Sequence, residues 1–179
     1  AELTGFSHAI VCGSQSIALY MALSSIGVSA NDEIITSTFS PVFIADAIRH
    51  FDAHPILVDV ETSALEIDCN QIEDRLSDRT KAIVAVHLAG RPLQLWRLSS
   101  IANRHGIPII EDVGAASIRA LGRSPALRGQ FAFGSSSEHS RRSTQNQLGY
   151  LCTNDHDAAQ IAKLAASQTA ANPLDSRRI

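Results

Sequence analysis

The acidic pair Glu111 and Asp112 is the feature of this chain that most directly suggests chemistry. The pair ends a short apolar run that begins at Ile107, and small residues follow it. In an open α/β sheet, ligands bind beyond the carboxyl ends of the strands, so a carboxylate placed there faces the binding crevice. Pyridoxal phosphate chemistry needs such an acid, because it keeps the pyridine nitrogen protonated and the ring electron-poor. The sequence therefore offers Asp112 as a candidate partner of such a ring.

The same chemistry needs a lysine that holds the cofactor covalently. The chain contains two lysines, Lys81 and Lys163. Lys81 opens a predicted strand and is expected on the wrong side of the sheet from Asp112, while Lys163 belongs to a late predicted helix. Neither lysine is placed for this role. The sequence thus carries the acid of the chemistry without its nucleophile.

Alternating strands and helices must position these groups. Short apolar, β-rich runs predict strands over residues 8–12, 33–37, 54–60, 81–88, 107–113 and 130–135, and helical periodicity predicts helices over 14–25, 41–51, 70–76, 93–105 and 157–166. Ser14 is expected to cap the first helix, Asn70 to cap the third and Gly106 to end the fourth. This alternation predicts one doubly wound α/β domain with a mostly parallel sheet.

Composition narrows the partners that we expect. The chain has 179 residues, 45% of them hydrophobic, and a formal net charge of −3. This balance gives no reason to expect binding to nucleic acid or to an anionic membrane. The three cysteines Cys12, Cys69 and Cys152 fit no metal spacing and are expected to be buried thiols in a reducing, cytoplasmic compartment. The chain begins with Ala1 rather than Met, which suggests a fragment.

Six fragments of the sequence, in order and with matching spacing, resemble the DegT-type (DegT/DnrJ/StrS) sugar aminotransferases. They are residues 5–19 (GFSHAIVCGSQSIAL), 31–35 (NDEII), 39–60, 79–92 (RTKAIVAVHLAGRP), 107–116 (IPIIEDVGAA) and 148–155 (LGYLCTND). The resemblance implies the large domain of a fold type I pyridoxal phosphate-dependent transferase over residues 1–170, with helices on both faces of the sheet, followed by a tail over 171–179. The family's N-terminal segment and C-terminal small domain are expected to be absent.

The family's functional positions carry over unevenly. The resemblance implies that Asp112 is the acid that faces the pyridine nitrogen. It also implies a phosphate site at a helix start, where the family's Ser-Gly-Thr corresponds to residues 14–16. The implied cofactor-binding residues are Ser14, Gln15, Ser16, Asp112 and Ser135.

Three other family positions have changed. The aromatic residue that stacks on the cofactor corresponds to Pro41, and a glutamine near the cofactor corresponds to Ala115. The lysine column falls on Ser140 or Arg141, and arginine cannot replace the lysine because its guanidinium stays protonated.

Three functional hypotheses follow from this pattern. The first is a degenerate member of the family without transaminase activity of its own. The second is an enzyme like the nucleotide-sugar 3-dehydratases of the family, in which His139 would act as base with pyridoxamine phosphate on a nucleotide-linked keto-sugar. The third is a non-catalytic partner subunit or scaffold, since family members form homodimers. His87 lies in the family's Val-His motif and is expected to be structural.

Overall fold

A computed structural model describes residues 5–62, 65–88, 93, 95–114, 129–135 and 148–171. Within these residues the chain forms seven strands and five helices. The strands are β1 (His8–Cys12), β2 (Glu33–Ser37), β3 (His54–Val58), β4 (Thr80–Val86), β5 (Ile109–Asp112), β6 (Phe131–Ser135) and β7 (Gly149–Thr153). The helices are α1 (Gln15–Ser25), α2 (Val42–Arg49), α3 (Cys69–Arg75), α4 (Trp96–His105) and α5 (His156–Ala171).

All seven strands belong to one sheet, in the order β1-β7-β6-β5-β4-β2-β3. The neighbours from β6 to β3 pair in parallel, whereas β7 pairs antiparallel with both β1 and β6. Only β7 therefore runs against the common direction. The mostly parallel sheet that the sequence predicts is confirmed, and the carboxyl ends of β4, β5 and β6 meet at one edge.

The two faces of the sheet have separate apolar cores. Successive residues of a strand point to opposite faces. Accordingly, Ile34 and Ile110 pack with residues of α1, α2 and α5, whereas Ile35 and Ile109 pack with residues of α3 and α4. Helices cover both faces, which confirms the doubly wound arrangement.

Most predicted elements are present with bounds that differ by a few residues. Ser14 caps α1, since its hydroxyl accepts a hydrogen bond from the Ile17 amide at 3.2 Å, and Gly106 ends α4 with φ +65°. The prediction that Asn70 caps α3 is wrong. Asp68 is the cap, and its carboxylate accepts from the Asn70 amide at 2.9 Å. No helix in the described part of the chain is long and apolar enough to cross a membrane.

The strand β7 was not predicted from the sequence. It begins at Gly149, and glycine is depleted in strands because it has no side chain to pack. The glycine is required here by a close approach: a Cβ atom at position 149 would lie 2.0 Å from the Ser14 carbonyl oxygen. The residue that weakens the strand pattern therefore lets β7 pass against the start of α1.

Candidate functional site

The two acidic residues of β5, Glu111 and Asp112, lie on opposite faces of the sheet because successive residues of a strand point to opposite sides. Asp112 shares its face with Ile110, which packs against the α1 side, and Glu111 shares its face with Ile109, which packs against the α3 and α4 side. Both acids are buried, with 2% of Asp112 and none of Glu111 exposed. The adjacent carboxylates therefore have different surroundings and separate partners.

The Asp112 carboxylate lies against the start of α1. Its Oδ1 atom accepts a hydrogen bond from the Gln15 side-chain Nε2 at 2.5 Å and another from the Gly114 amide at 2.8 Å. Gly114 lies close to the same amide group, since a Cβ atom on it would be 2.2 Å from Gln15 Nε2. The contact spans 97 positions of sequence and joins the end of β5 to the first turn of α1.

The start of α1 is fixed by its own hydrogen bonds. Ser14 has extended backbone angles and caps the helix through its hydroxyl, as expected for an N-cap serine. The Cys12 thiol donates to the Ser14 carbonyl at 3.3 Å, and burial raises the pKa of this thiol. A helix N-terminus has a partial positive charge and favours anions. The first turn of α1 therefore retains the general character of a phosphate site.

The structure brings the five implied cofactor-binding residues to one edge of the sheet. Ser14, Gln15 and Ser16 form the cap and first turn of α1, and Gln15 contacts Asp112 directly. Ser135 ends β6 and pairs with Gly149, which itself passes against Ser14. Their roles toward a cofactor remain predictions. His139, Ser140, Arg141 and Ala115 lie outside the described residues.

Glu111 forms the partner network that the sequence analysis did not assign. Its Oε2 atom lies 2.7 Å from His87 Nε2, and its Oε1 atom accepts from the Gly129 amide at 2.5 Å. The Leu93 amide donates to His87 Nδ1 at 3.1 Å, so the ring proton must sit on Nε2 and point at Glu111. His87 is fully buried and therefore structural, as expected. The sequence signal for this second network was the adjacency of Glu111 and Asp112 on one strand, because neighbouring strand residues point to opposite faces of the sheet.

A concavity lies between α3 and α4, and neither Asp112 nor Glu111 lines it. It measures about 210 Å³, and Cys69, Trp96 and Ser100 are among its lining residues. Its arginines are already paired, because Arg97 bonds to the Asn70 side chain and Arg104 to Glu73. Within the described residues no group of three or more His, Cys, Asp or Glu side chains could hold a metal ion. We therefore take the Asp112 edge as the candidate site.

A mostly parallel sheet with a buried acid at a strand end, facing the start of a helix, defines a doubly wound α/β domain with its candidate site at the carboxyl edge of the sheet. Comparison with known proteins gives the family. The model of the DegT/DnrJ/EryC1/StrS aminotransferase family matches residues 1–175, and the chain belongs to this family.

Individual relatives agree with the family assignment. The chain is 32% identical over 172 residues to a pleiotropic regulatory protein of Geobacillus stearothermophilus and 30% identical over 173 residues to GDP-perosamine synthase of Caulobacter vibrioides. These matches cover 92% and 94% of this chain but 45% of each relative. Among solved structures, an aminotransferase of Psychrobacter cryohalolentis superimposes with a TM-score of 0.81 at 28% identity, covering 91% of this chain and 42% of that one. The chain spans about half the length of the curated relatives that it matches.

The residues present do not fit a pyridine ring nitrogen at Asp112 Oδ1, which already accepts hydrogen bonds from the Gln15 side chain and the Gly114 amide. A protonated ring nitrogen must approach a carboxylate oxygen to about 2.7–2.9 Å. The Gln15 amide nitrogen already lies 2.5 Å from Oδ1, and only 2% of Asp112 is exposed. A ring nitrogen and the observed Gln15 side chain cannot both bind Oδ1. Ser14 and Ser16 still lie at the start of α1, whereas the Oδ1 side of Asp112 is filled by the protein itself.

Proposed function

We propose that this chain is a degenerate member of the sugar aminotransferase family without transaminase activity of its own. The observation that carries the proposal is the position of its two lysines, Lys81 and Lys163. A transaminase of this class requires a lysine amine that reaches the cofactor over the acid at the strand end. Arginine and serine, the residues in the lysine column, cannot supply that amine.

Lys81 is the second residue of β4, near the amino end of that strand. Val86, at the other end of β4, pairs with Asp112, so five residues of strand separate Lys81 from the level of the acid. At a rise of about 3.3 Å per residue this is roughly 17 Å along the sheet. A lysine side chain is far shorter than this, and Lys81 lies at the edge opposite the candidate site.

Lys163 is exposed on α5, a helix that packs on the same face as α1. Its neighbour Ala162 is fully buried in that core, and Lys163 follows it on the outer side of the helix. Reaching Asp112 would require α5 to rotate its buried face into water. Burial of Ala158, Ala159 and Ala162 opposes such a rotation.

The ancestral ligands that we propose are pyridoxal phosphate or pyridoxamine phosphate and a nucleotide-linked keto-sugar. The name of the relative GDP-perosamine synthase supports a sugar nucleotide as the substrate class. The proposed domain is a transferase-like large domain over residues 1–170, and the match to that relative covers 45% of its length.

The test is covalent trapping. The chain is incubated with pyridoxal phosphate, reduced with borohydride and digested, and modified peptides are identified by mass spectrometry. We expect no stoichiometric, saturable label, with only slow, nonspecific modification of the exposed amines. A stable imine absorbance that reduces to one label per chain on Lys81 or Lys163 would contradict the proposal.

A non-catalytic partner subunit is the second candidate, and exposed apolar residues favour it. Phe39 and Val42, which follow the carboxyl end of β2, are 58% and 77% exposed. Exposed apolar side chains at a sheet edge are typical of an interface. Sedimentation velocity should show concentration-dependent association, weakened in a Phe39→Ser/Val42→Ser variant. A chain that stays monomeric at all concentrations, both alone and mixed with an active member of the family, would refute this second candidate.

A further inference from the structure

We propose that the side chain of Gln15 is a built-in occupant of the ring-nitrogen position at Asp112, and that it excludes pyridine-ring phosphates from this site. The inference goes beyond the proposed function, because a chain without the lysine could still bind such a compound noncovalently. It assigns the exclusion to one residue.

The geometry places Gln15 between the two ends of the candidate site. It is the first residue of α1, directly after the cap Ser14, where an anion would meet the helix. Its amide reaches across to Asp112 Oδ1, at the end of β5. The side chain therefore bridges from the start of α1 to the acid at the end of β5.

The fit of this side chain is close. A Cβ atom on Gly114 would lie 2.2 Å from Gln15 Nε2 and 2.7 Å from both the amide carbon and Oε1. The amide thus packs against the bare Cα of Gly114, and a glycine at this position is needed for the contact. The family motif has glycine where this chain has Gln15, so the motif places no side chain in the same space.

The chemistry of the contact also matches. An amide N–H donates to a carboxylate as a protonated ring nitrogen does, and hydrogen bonds to charged groups are the stronger kind. Gln15 and the Gly114 amide together give Oδ1 two donors. Asp112 is therefore stabilised in the folded chain by protein groups, and a ligand must displace the amide before it can bind there.

The binding test uses pyridoxamine phosphate, which has no aldehyde and cannot react with either lysine. Equilibrium dialysis measures its affinity for the native chain, for Gln15→Gly and for Gln15→Ala. Without the Gln15 amide, the ligand no longer has to displace a hydrogen bond to the charged Asp112. Both substitutions should therefore tighten the binding of pyridoxamine phosphate by about 10- to 100-fold. Adding Asp112→Asn to either variant should reverse the gain, since the amide has lost the negative charge.

Gln71→Gly is the matched control. Gln71 also belongs to the first turn of a helix and donates to an aspartate, with its Nε2 atom 2.8 Å from Asp68, but it lies in α3 and away from the site. We expect this variant to bind pyridoxamine phosphate like the native chain. Circular dichroism shows which variants are folded, and Gln15→Ala decides the question if Gln15→Gly is unfolded.

Two results would overturn the inference. One is a folded Gln15 variant with no gain in affinity for pyridoxamine phosphate over the native chain. The other is a gain that Asp112→Asn fails to reverse. The borohydride experiment is independent of both, because a lysine-bound label would refute the loss of transaminase chemistry whatever Gln15 does.

Discussion

Replacing Glu111 by alanine should remove a large part of the stability of this domain. The substitution leaves His87 Nε2 and the Gly129 amide without their acceptors at 2.7 and 2.5 Å. A hydrogen bond to a charged group contributes about 1.5–3 kcal/mol, so two of them give roughly 3–6 kcal/mol. Domains are stable by about 5–15 kcal/mol in total.

Urea denaturation followed by circular dichroism measures this loss. Glu111→Gln should cost less, about 1–3 kcal/mol, because its amide keeps one oxygen for one of the two donors. Glu61→Ala is the control: Glu61 pairs with Arg97 at 3.4 Å with both side chains more than a third exposed, and such pairs contribute about 0–1 kcal/mol. If Glu111→Ala unfolds within about 1 kcal/mol of the native chain, the buried network does not support the strand end as we argue.

Three further outcomes are expected. Gly149→Ala should destabilise the chain by about 3 kcal/mol in urea denaturation, because its Cβ atom would lie 2.0 Å from the Ser14 carbonyl oxygen. Gly13→Ala is the control and should cost under about 1 kcal/mol, because its Cβ atom meets only the flexible end of the Ile17 side chain, at 3.3 Å. Hydrogen bonds from Ser77 and, to a smaller extent, Arg79 lower the pKa of Glu33. Glu33 therefore stabilises the fold at pH values above the ordinary glutamate pKa of about 4.3, and this stabilisation is lost as the pH falls through the lowered pKa. Glu33→Gln should flatten the acid side of a curve of unfolding free energy against pH. Isotope exchange from labelled water into the aminomethyl carbon of pyridoxamine phosphate should be absent both in the native chain and in His139→Asn; exchange in the native chain that His139→Asn abolishes would favour the dehydratase hypothesis over the degenerate one.

The sequence predicted the fold where local pattern and global architecture agree. Ile and Val runs marked β2 and β4 because both are buried on both faces, and Ser14 and Gly106 marked helix ends through the capping preferences of their residue types. β7 was missed because its first residue serves a contact with Ser14, more than a hundred positions away. The cap of α3 was misplaced because Asn70 and Asp68 are both residue types that cap helices. In the structure Asp68, two residues earlier, is the one whose carboxylate accepts the hydrogen bond, from the Asn70 amide.

The candidate site was predicted in its members but not in its contacts. Motif order was enough to group Ser14, Gln15, Asp112 and Ser135, because strands of a parallel sheet end at a common edge. The substitution of glycine by Gln15 could be read only as a change in a phosphate loop. That its amide reaches Asp112 depends on how closely α1 approaches β5, which is a property of packing and not of any local pattern.

Under our proposal, the two acids of β5 explain how the fold stays stable without a bound cofactor. Burying a carboxylate costs several kcal/mol of folding free energy unless hydrogen bonds replace those that it made with water. This cost is comparable to the whole stability of a domain. Glu111 is compensated by His87 and Gly129, which do not depend on any ligand. A protonated ring nitrogen bound to such an acid supplies one of those donors, so a chain in which Asp112 binds no ring must provide another donor or lose stability. Under our proposal Gln15 is that donor, which predicts that Gln15→Ala alone destabilises the ligand-free chain, by about 1.5–3 kcal/mol in urea denaturation. The same variant with saturating pyridoxamine phosphate should regain part of that loss, since a ligand that binds only the folded state stabilises it.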